Sequence, residues 1–146
     1  MLEQKGLGSK KTKVKTVILG SGKVMTELED AIQKEKDQNF DWLHILRVEQ
    51  IYPFPRKQVE EILARYKNVE EIVWVQEEPK NAGSWDFVKE ELYNLLKDNQ
   101  TLKYVGRPRR SSPAVGEPNV HKSEQNRIIM EALKLSKEEE INSERN

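Results

Sequence analysis

Four short apolar runs, each followed by a segment with helical spacing, constrain this chain more than any other property. Residues 16–19 lead through Gly20-Ser21-Gly22 into Val24, Leu28, Ala31 and Ile32, which recur three or four positions apart. Residues 43–48 form a second run, followed by a rigid loop at 51–55 and by Val59, Ile62, Leu63 and Tyr66. Residues 71–76 form a third, followed by Trp85, Val88, Leu92, Leu95 and Leu96; residues 102–105 form a fourth, and Ile128, Ile129, Ala132 and Leu133 mark one face of a last helix. Runs with little alternation suit strands buried on both faces, and the segments between them have the 3.6-residue period of amphipathic helices. Alternation of the two predicts an α/β three-layer domain, with a mostly parallel sheet and helices on both faces, because right-handed crossovers place them there.

At 146 residues the chain suits one domain with one core. That domain is expected over 16–135. Residues 1–15, with Lys5, Gly6, Gly8, Lys10, Lys11, Lys13 and Lys15, read as a basic flexible leader, and residues 136–146 as a charged flexible tail whose one apolar residue is Ile141. Twenty-five basic and 25 acidic residues cancel, so no global field draws in nucleic acid or an acidic membrane, and neither is expected as a partner. Without cysteine there is no disulfide framework, thiolate nucleophile or zinc cluster, and an intracellular setting is expected. No apolar run approaches the ~20 residues that span a bilayer.

If the strands are parallel, the loops after them meet at one edge of the sheet. That edge would carry Ser21 and Lys23, Glu49, residues 76–81 and residues 107–116. The stretch 72–85 is the richest part of it. Gln76, Glu77 and Glu78 arrive where an apolar strand ends; Pro79 is expected to stop the pairing, Asn81 and Gly83 to allow a tight turn, Ser84 to cap, and Trp85 to begin a helix.

The motifs at this edge are incomplete as chemistry. Gly20-Ser21-Gly22-Lys23 invites a phosphate-loop reading, since small residues let backbone N–H groups face an anion. A Walker A loop would need glycine and Ser or Thr where Val17 and Val24 stand, and a dinucleotide fingerprint would need glycine in place of Met25. A plain tight turn is the better reading. Arg107, Arg109, Arg110, Ser111 and Ser112 form a basic, hydroxyl-rich patch suited to an anion or to carboxylates of a neighbouring subunit, and equally to water. Charge-assisted bonds of roughly 1.5–3 kcal/mol each would hold a ligand weakly, as suits an effector or an interface. Glu49, Glu77 and Glu78 would form an acid–base pair only if their loops met, and surface carboxylates are the norm. His44 lies within an apolar run and reads as a satisfied core residue; His121 suits a cap or an interface contact. No catalytic residue, cofactor-binding residue or metal ligand is assigned.

Several segments together resemble one family in order and spacing: 21–23; Arg47-Val48-Glu49-Gln50-Ile51-Tyr52-Pro53-Phe54-Pro55; 74–81 with Gly83 and Trp85; and 104–107 through Ser112-Pro113-Ala114-Val115-Gly116 to His121, Glu124 and Gln125. The resemblance is to the C-terminal domain of the 2-oxoglutarate dehydrogenase E1 component, of Bacillus type in Arg107-Pro108-Arg109-Arg110, and covers roughly 16–135. It implies a fold like the transketolase C-terminal domain, a sheet of about five strands with one antiparallel. It also implies a cytoplasmic enzyme of the tricarboxylic acid cycle that decarboxylates 2-oxoglutarate and passes succinyl to lipoamide. Thiamine diphosphate and magnesium belong to upstream catalytic domains whose Gly-Asp-Gly motif is missing here, so the isolated chain is expected to be inactive. The implied partners are those upstream domains, a second E1 subunit in a homodimer, and the dihydrolipoamide succinyltransferase (E2) core. Glu49, Gln76, Glu77, Glu78, Asn81, Trp85 and His121 are the expected loop and interface signature, with Trp74 and Glu78 buried or paired only in the full enzyme. The alternative role is a regulatory module that binds an acetyl-CoA or AMP type anion through Ser21, Lys23 and the patch at Arg107 to Ser112.

Overall fold

A computed structural model describes residues 2–6, 11–35, 37–108 and 118–135, with residues 2–6 and 118–122 given by their backbone alone. Among the described residues ten elements follow one another. Strand β1 is Leu2–Gly6, a 3-10 turn spans Lys11–Lys13, and β2 is Thr16–Gly20; then come α1 (Lys23–Lys34), β3 (Leu43–Val48), α2 (Arg56–Arg65), β4 (Glu71–Pro79), α3 (Trp85–Tyr93), β5 (Thr101–Arg107) and α4 (Pro118–Ala132). The sheet order is β1-β3-β2-β4-β5. Strands β3, β2, β4 and β5 are parallel, with Ile18 opposite Ile45 on one side and Val73 on the other, and β1 pairs antiparallel with β3. The α/β three-layer architecture read from the alternation is therefore the one observed.

Strand alternation divides the core in two. On one face Val17, Leu19, Leu46, Ile72 and Trp74 meet Val59, Ile62 and Leu63 of α2 and Val88 and Leu92 of α3. On the other, Ile18, Ile45, Val73, Val75 and Val105 meet Val24, Met25 and Leu28 of α1 and Ile128 and Ile129 of α4. Each fully buried aliphatic side chain contributes about 1.5–3 kcal/mol. Helices α1 and α3 leave β2 and β4 for opposite faces, so the loops after these neighbouring strands diverge. Such a point in an open parallel sheet is where α/β folds form a crevice.

Three expectations need correction. The leader is not loose throughout: Leu2–Gly6 lies in register against β3, from Leu2 opposite Val48 to Gly6 opposite His44. Pairing at a sheet edge is made by backbone groups, so a lysine- and glycine-bearing segment can join without apolar side chains. Val14, within the same expected leader, is 1% exposed and belongs to the core. The third strand does not end at Gln76: pairing stops at Pro79, which β4 reaches by way of an irregularity in which Gln76 pairs with Gly106 and Pro79 with Arg107, leaving Glu77 and Glu78 as extra residues. The third helix ends at Tyr93, so Leu95 and Leu96 pack on the core from the turn beyond it. The tail 136–146 lies outside the described residues.

His44 is the satisfied core residue expected. It is buried in β3, its ring 4.7 Å from that of Tyr66, whose hydroxyl lies 3.3 Å from Nδ1. Burial first, then the Arg65 guanidinium, lowers its pKa from 6.5 to about 4. Between these values the unfolded chain holds a proton that the folded chain does not, so stability is full above about pH 6.5 and falls as pH drops towards 4. Urea unfolding at pH 7 and pH 5 should show a loss of about 2 kcal/mol that is absent in His44→Phe; equal pH dependence in the two proteins would refute this.

Candidate functional site

The C-terminal rim of the parallel strands gathers the polar loops as expected, and the Gln76 side chain lies at its centre. Gln76 is 3% exposed and faces α3, on the same side of β4 as Ile72 and Trp74. Its Oε1 accepts hydrogen bonds from Trp74 Nε1 and from the backbone N–H of Trp85, both at 3.1 Å. Its Nε2 donates to the carbonyls of Glu78 at 3.2 Å and Pro79 at 3.0 Å. One amide thus uses two acceptor and two donor sites. The extra residues of β4 curl over the side chain of the strand they extend.

This arrangement changes the reading of several neighbours. Ser84 stands at the N-cap of α3 but its side chain makes no cap bond; Gln76, nine residues upstream, satisfies the first helical N–H instead. Gly83 is needed for close approach and not for a left-handed backbone, because a Cβ there would collide with the Gln76 amide. Trp74 is 2% exposed and hydrogen-bonded in this chain, which corrects the expectation that only a larger assembly would cover it. Trp85 is buried with its ring 5.2 Å from that of Tyr104, and Lys80 Nζ lies 5.9 Å and 5.1 Å from the two ring centres.

The remaining rim residues divide by face. Gly22, at φ 81°, makes the tight turn before α1 without a side-chain cap; a Cβ on it would lie 3.9 Å from Glu77 Oε1, so this turn lies beside the end of β4 before the two loops part. Ser21 is half-buried. Lys23 is drawn to Glu27, 3.7 Å away one turn along α1, and its side chain is 78% exposed. Glu49 is exposed and lies 3.9 Å from Arg47, whose guanidinium also donates to Thr26 Oγ1 at 2.6 Å and lies 3.8 Å from Glu29. Glu78 and Asn81 are exposed, and Glu77 is partly covered. Of the three carboxylates, Glu49 lies in the loop after β3 and is engaged by an arginine, whereas Glu77 and Glu78 are adjacent residues of β4.

Of the basic patch, Arg107 alone lies within the described residues. Arg107 ends β5 and is 6% exposed, on the same side of the strand as Val105, so it belongs to the interior edge of the sheet and not to an open loop. Arg109, Arg110, Ser111 and Ser112 lie outside the described residues, and of His121 the backbone alone is described, within α4. Sequence reading missed Arg127. Its guanidinium donates to the Gly106 carbonyl at 2.8 Å, to Glu124 at 3.2 Å and to Glu131 at 3.1 Å, tying α4 to β5. The flanking glutamates, three before and four after, were a legible signal of a helical ion-pair triplet.

Two openings accompany the rim. A groove of about 720 Å³ between α1 and α4 is lined by Lys23, Glu27, Ala31, Gln125, Ile129 and Met130 among others, and Gln125 donates to Glu27 at 2.9 Å across it. A cleft of about 580 Å³ is lined by Lys80, Tyr104, Gly106, Pro108, Glu124 and Arg127. Among the described residues no group of three or more His, Cys, Asp or Glu side chains is placed to hold a metal ion. Among the described residues, no helix is long and apolar enough to cross a membrane.

The family model described as 2-oxoglutarate dehydrogenase C-terminal matches residues 1–133. Curated relatives named 2-oxoglutarate dehydrogenase E1 component include one from Oceanobacillus iheyensis, 51% identical over 134 residues, which are 92% of this chain and 14% of that protein. One from Geobacillus sp. (strain WCH70) is 50% identical over 91% of the chain, and one from Bacillus cereus (strain AH820) 47% identical over 90%, each match again 14% of the relative. The chain thus spans about one seventh of the length of the curated relatives it matches.

Replacing Gln76 with Leu removes all four hydrogen bonds and should lower stability by about 2–4 kcal/mol in urea unfolding. Gly83→Ala should also destabilise, and much less so in a Gln76→Ala background, where the colliding amide is gone. Additive losses in that double-mutant cycle would show that the amide does not set the loop.

Proposed function

Because this chain belongs to the 2-oxoglutarate dehydrogenase C-terminal family, we propose that it is the C-terminal structural and assembly domain of a 2-oxoglutarate dehydrogenase E1 component. In this reading the parent enzyme decarboxylates 2-oxoglutarate and passes succinyl to lipoamide on a dihydrolipoamide succinyltransferase core. It acts as a homodimer in the cytoplasm, with thiamine diphosphate and magnesium held by other parts of the E1 polypeptide. This domain contributes a rigid rim that docks on those parts and does no chemistry alone.

The observation that carries the reading is how the rim's polar groups are used. Gln76 is saturated by its own strand, tryptophan and helix. Arg47 holds β3 to α1, and Arg127 holds α4 to β5. A reactive site keeps a nucleophile, base or oxyanion donor facing a substrate; these groups instead make the strand ends stiff. Stiff loops at a sheet edge suit docking, since little conformational freedom is lost on association.

The test uses the Oceanobacillus iheyensis relative shortened by its matching residues. The chain alone, with thiamine diphosphate and magnesium supplied, should not turn over 2-oxoglutarate, and adding it to the shortened relative should restore activity. Turnover by the chain alone would overturn the structural role, and no binding or gain on mixing would overturn the docking role.

A second reading has one observation in its favour. The cleft of about 580 Å³ presents Lys80 and Tyr104 beside Pro108, where the chain continues towards Arg109 and Arg110. In this reading it receives an acetyl-CoA or AMP type anion. Millimolar acetyl-CoA or AMP should then raise the melting temperature saturably, and Arg109→Ala with Arg110→Ala should abolish the rise. No shift in the unmodified chain leaves only the structural role.

A further inference from the structure

Among the described residues three large hydrophobic side chains are exposed: Tyr52 at 61%, Phe87 at 38% and Tyr93 at 55%. Two of them are not scattered. Tyr52, in the loop after β3, and Phe87, in the first turns of α3, stack with ring centres 4.4 Å apart and planes at 42°. Thirty-five residues of sequence and two elements separate them. An isolated exposed aromatic is ordinary, but two brought together face to water form an apolar patch that the fold itself does not require.

Both rings stand on rigid supports. Ile51 packs against the core on one side of Tyr52, and Phe54 is buried two residues beyond it. Gln50 Nε2 donates to the Tyr52 carbonyl at 3.0 Å, and the Arg56 N–H to the Phe54 carbonyl at 2.8 Å. Phe87 lies between Trp85 and Val88, both buried, and its N–H bonds the Ser84 carbonyl at 3.1 Å. Side chains held out from an ordered base lose little freedom on binding. Their neighbours in sequence Glu49, Gln50 and Asp86 are polar and exposed. A preorganised aromatic centre within a polar border is the anatomy of a binding hot spot.

We infer that Tyr52 and Phe87 are the anchor by which this domain docks into an apolar pocket on the remainder of an E1 polypeptide. The inference rests on the proposed docking role and specifies which part of the rim carries it. The patch lies at the same C-terminal rim as the loop built on Gln76, with Phe87 two residues past Trp85. In the relatives the matched region is 14% of the protein, so a body several times larger lies beyond it and is the occupant. Tyr93, six residues along α3 from Phe87, is not part of this ring pair.

The test measures affinity between this chain and the Oceanobacillus iheyensis relative shortened by its matching residues, by calorimetry. Tyr52→Ala with Phe87→Ala should weaken binding by about a hundredfold. Tyr93→Ala should change it by less than about twofold. The melting temperature of each variant, near that of the parent because the rings face water, shows that each is folded. Undiminished affinity in the folded double variant would overturn the anchor and leave the docking role standing; no binding by the unmodified chain would remove both. Self-association in the ultracentrifuge that the double variant abolishes, with docking unchanged, would make the occupant a second copy and overturn the inference.

Discussion

Four hydrogen bonds to one buried carboxamide organise the functional edge of this domain. Gln76 lies where an apolar strand would otherwise simply end, and its amide turns that end into a closed loop. Oε1 holds the Trp74 indole and the first N–H of α3, while Nε2 holds the two carbonyls of the residues that curl back over it. A buried amide with fewer partners would cost about 1–3 kcal/mol per unmet group, so the arrangement is fully made or strongly disfavoured. That condition explains the extra residues Glu77 and Glu78, the bare glycine at 83 and the absence of a cap bond from the Ser84 side chain.

The consequence for function is a division of labour between polar and apolar groups. Residues that look chemically capable in one dimension, such as Gln76, Arg47 and Arg127, are committed to joining elements of the domain. The groups left facing outward are of another kind. Tyr52 and Phe87 bring hydrocarbon to the surface, where burial by a partner is favourable and no reaction is implied. A rim stiffened by internal hydrogen bonds and tipped with aromatic side chains is suited to recognising a surface.

Much of the architecture was legible because local periods carry it. The run 43–48 coincides with β3, and Val59, Ile62 and Leu63 are the buried residues of α2. The misreadings have specific causes. Leu2–Gly6 joins the sheet through backbone groups, which every residue but proline supplies, so composition could not mark it. Arg107 looked like part of an open basic loop because its neighbours are charged, yet strand alternation places it on the side of Val105. Trp74 was expected to be covered only in the full enzyme because it precedes a loop expected to dock; its hydrogen-bond partner is two residues away on the same face of the strand.

Taken by itself, the order of apolar runs and amphipathic segments determined that this chain is an α/β layered domain with its polar loops at one edge, because strand and helix periods are properties of neighbours in sequence. The spacing of motifs across those loops likewise pointed to the family to which the chain belongs. Only the tertiary structure decided what the loops do with their side chains. The bond from Gln76 to the start of α3, the burial of Arg107 and the stacking of Tyr52 on Phe87 depend on how strands and helices are brought together in space. Local patterns set each element's inward face but not the side chain it meets across the sheet, and at this rim those meetings separate groups that join the domain's elements from groups left exposed.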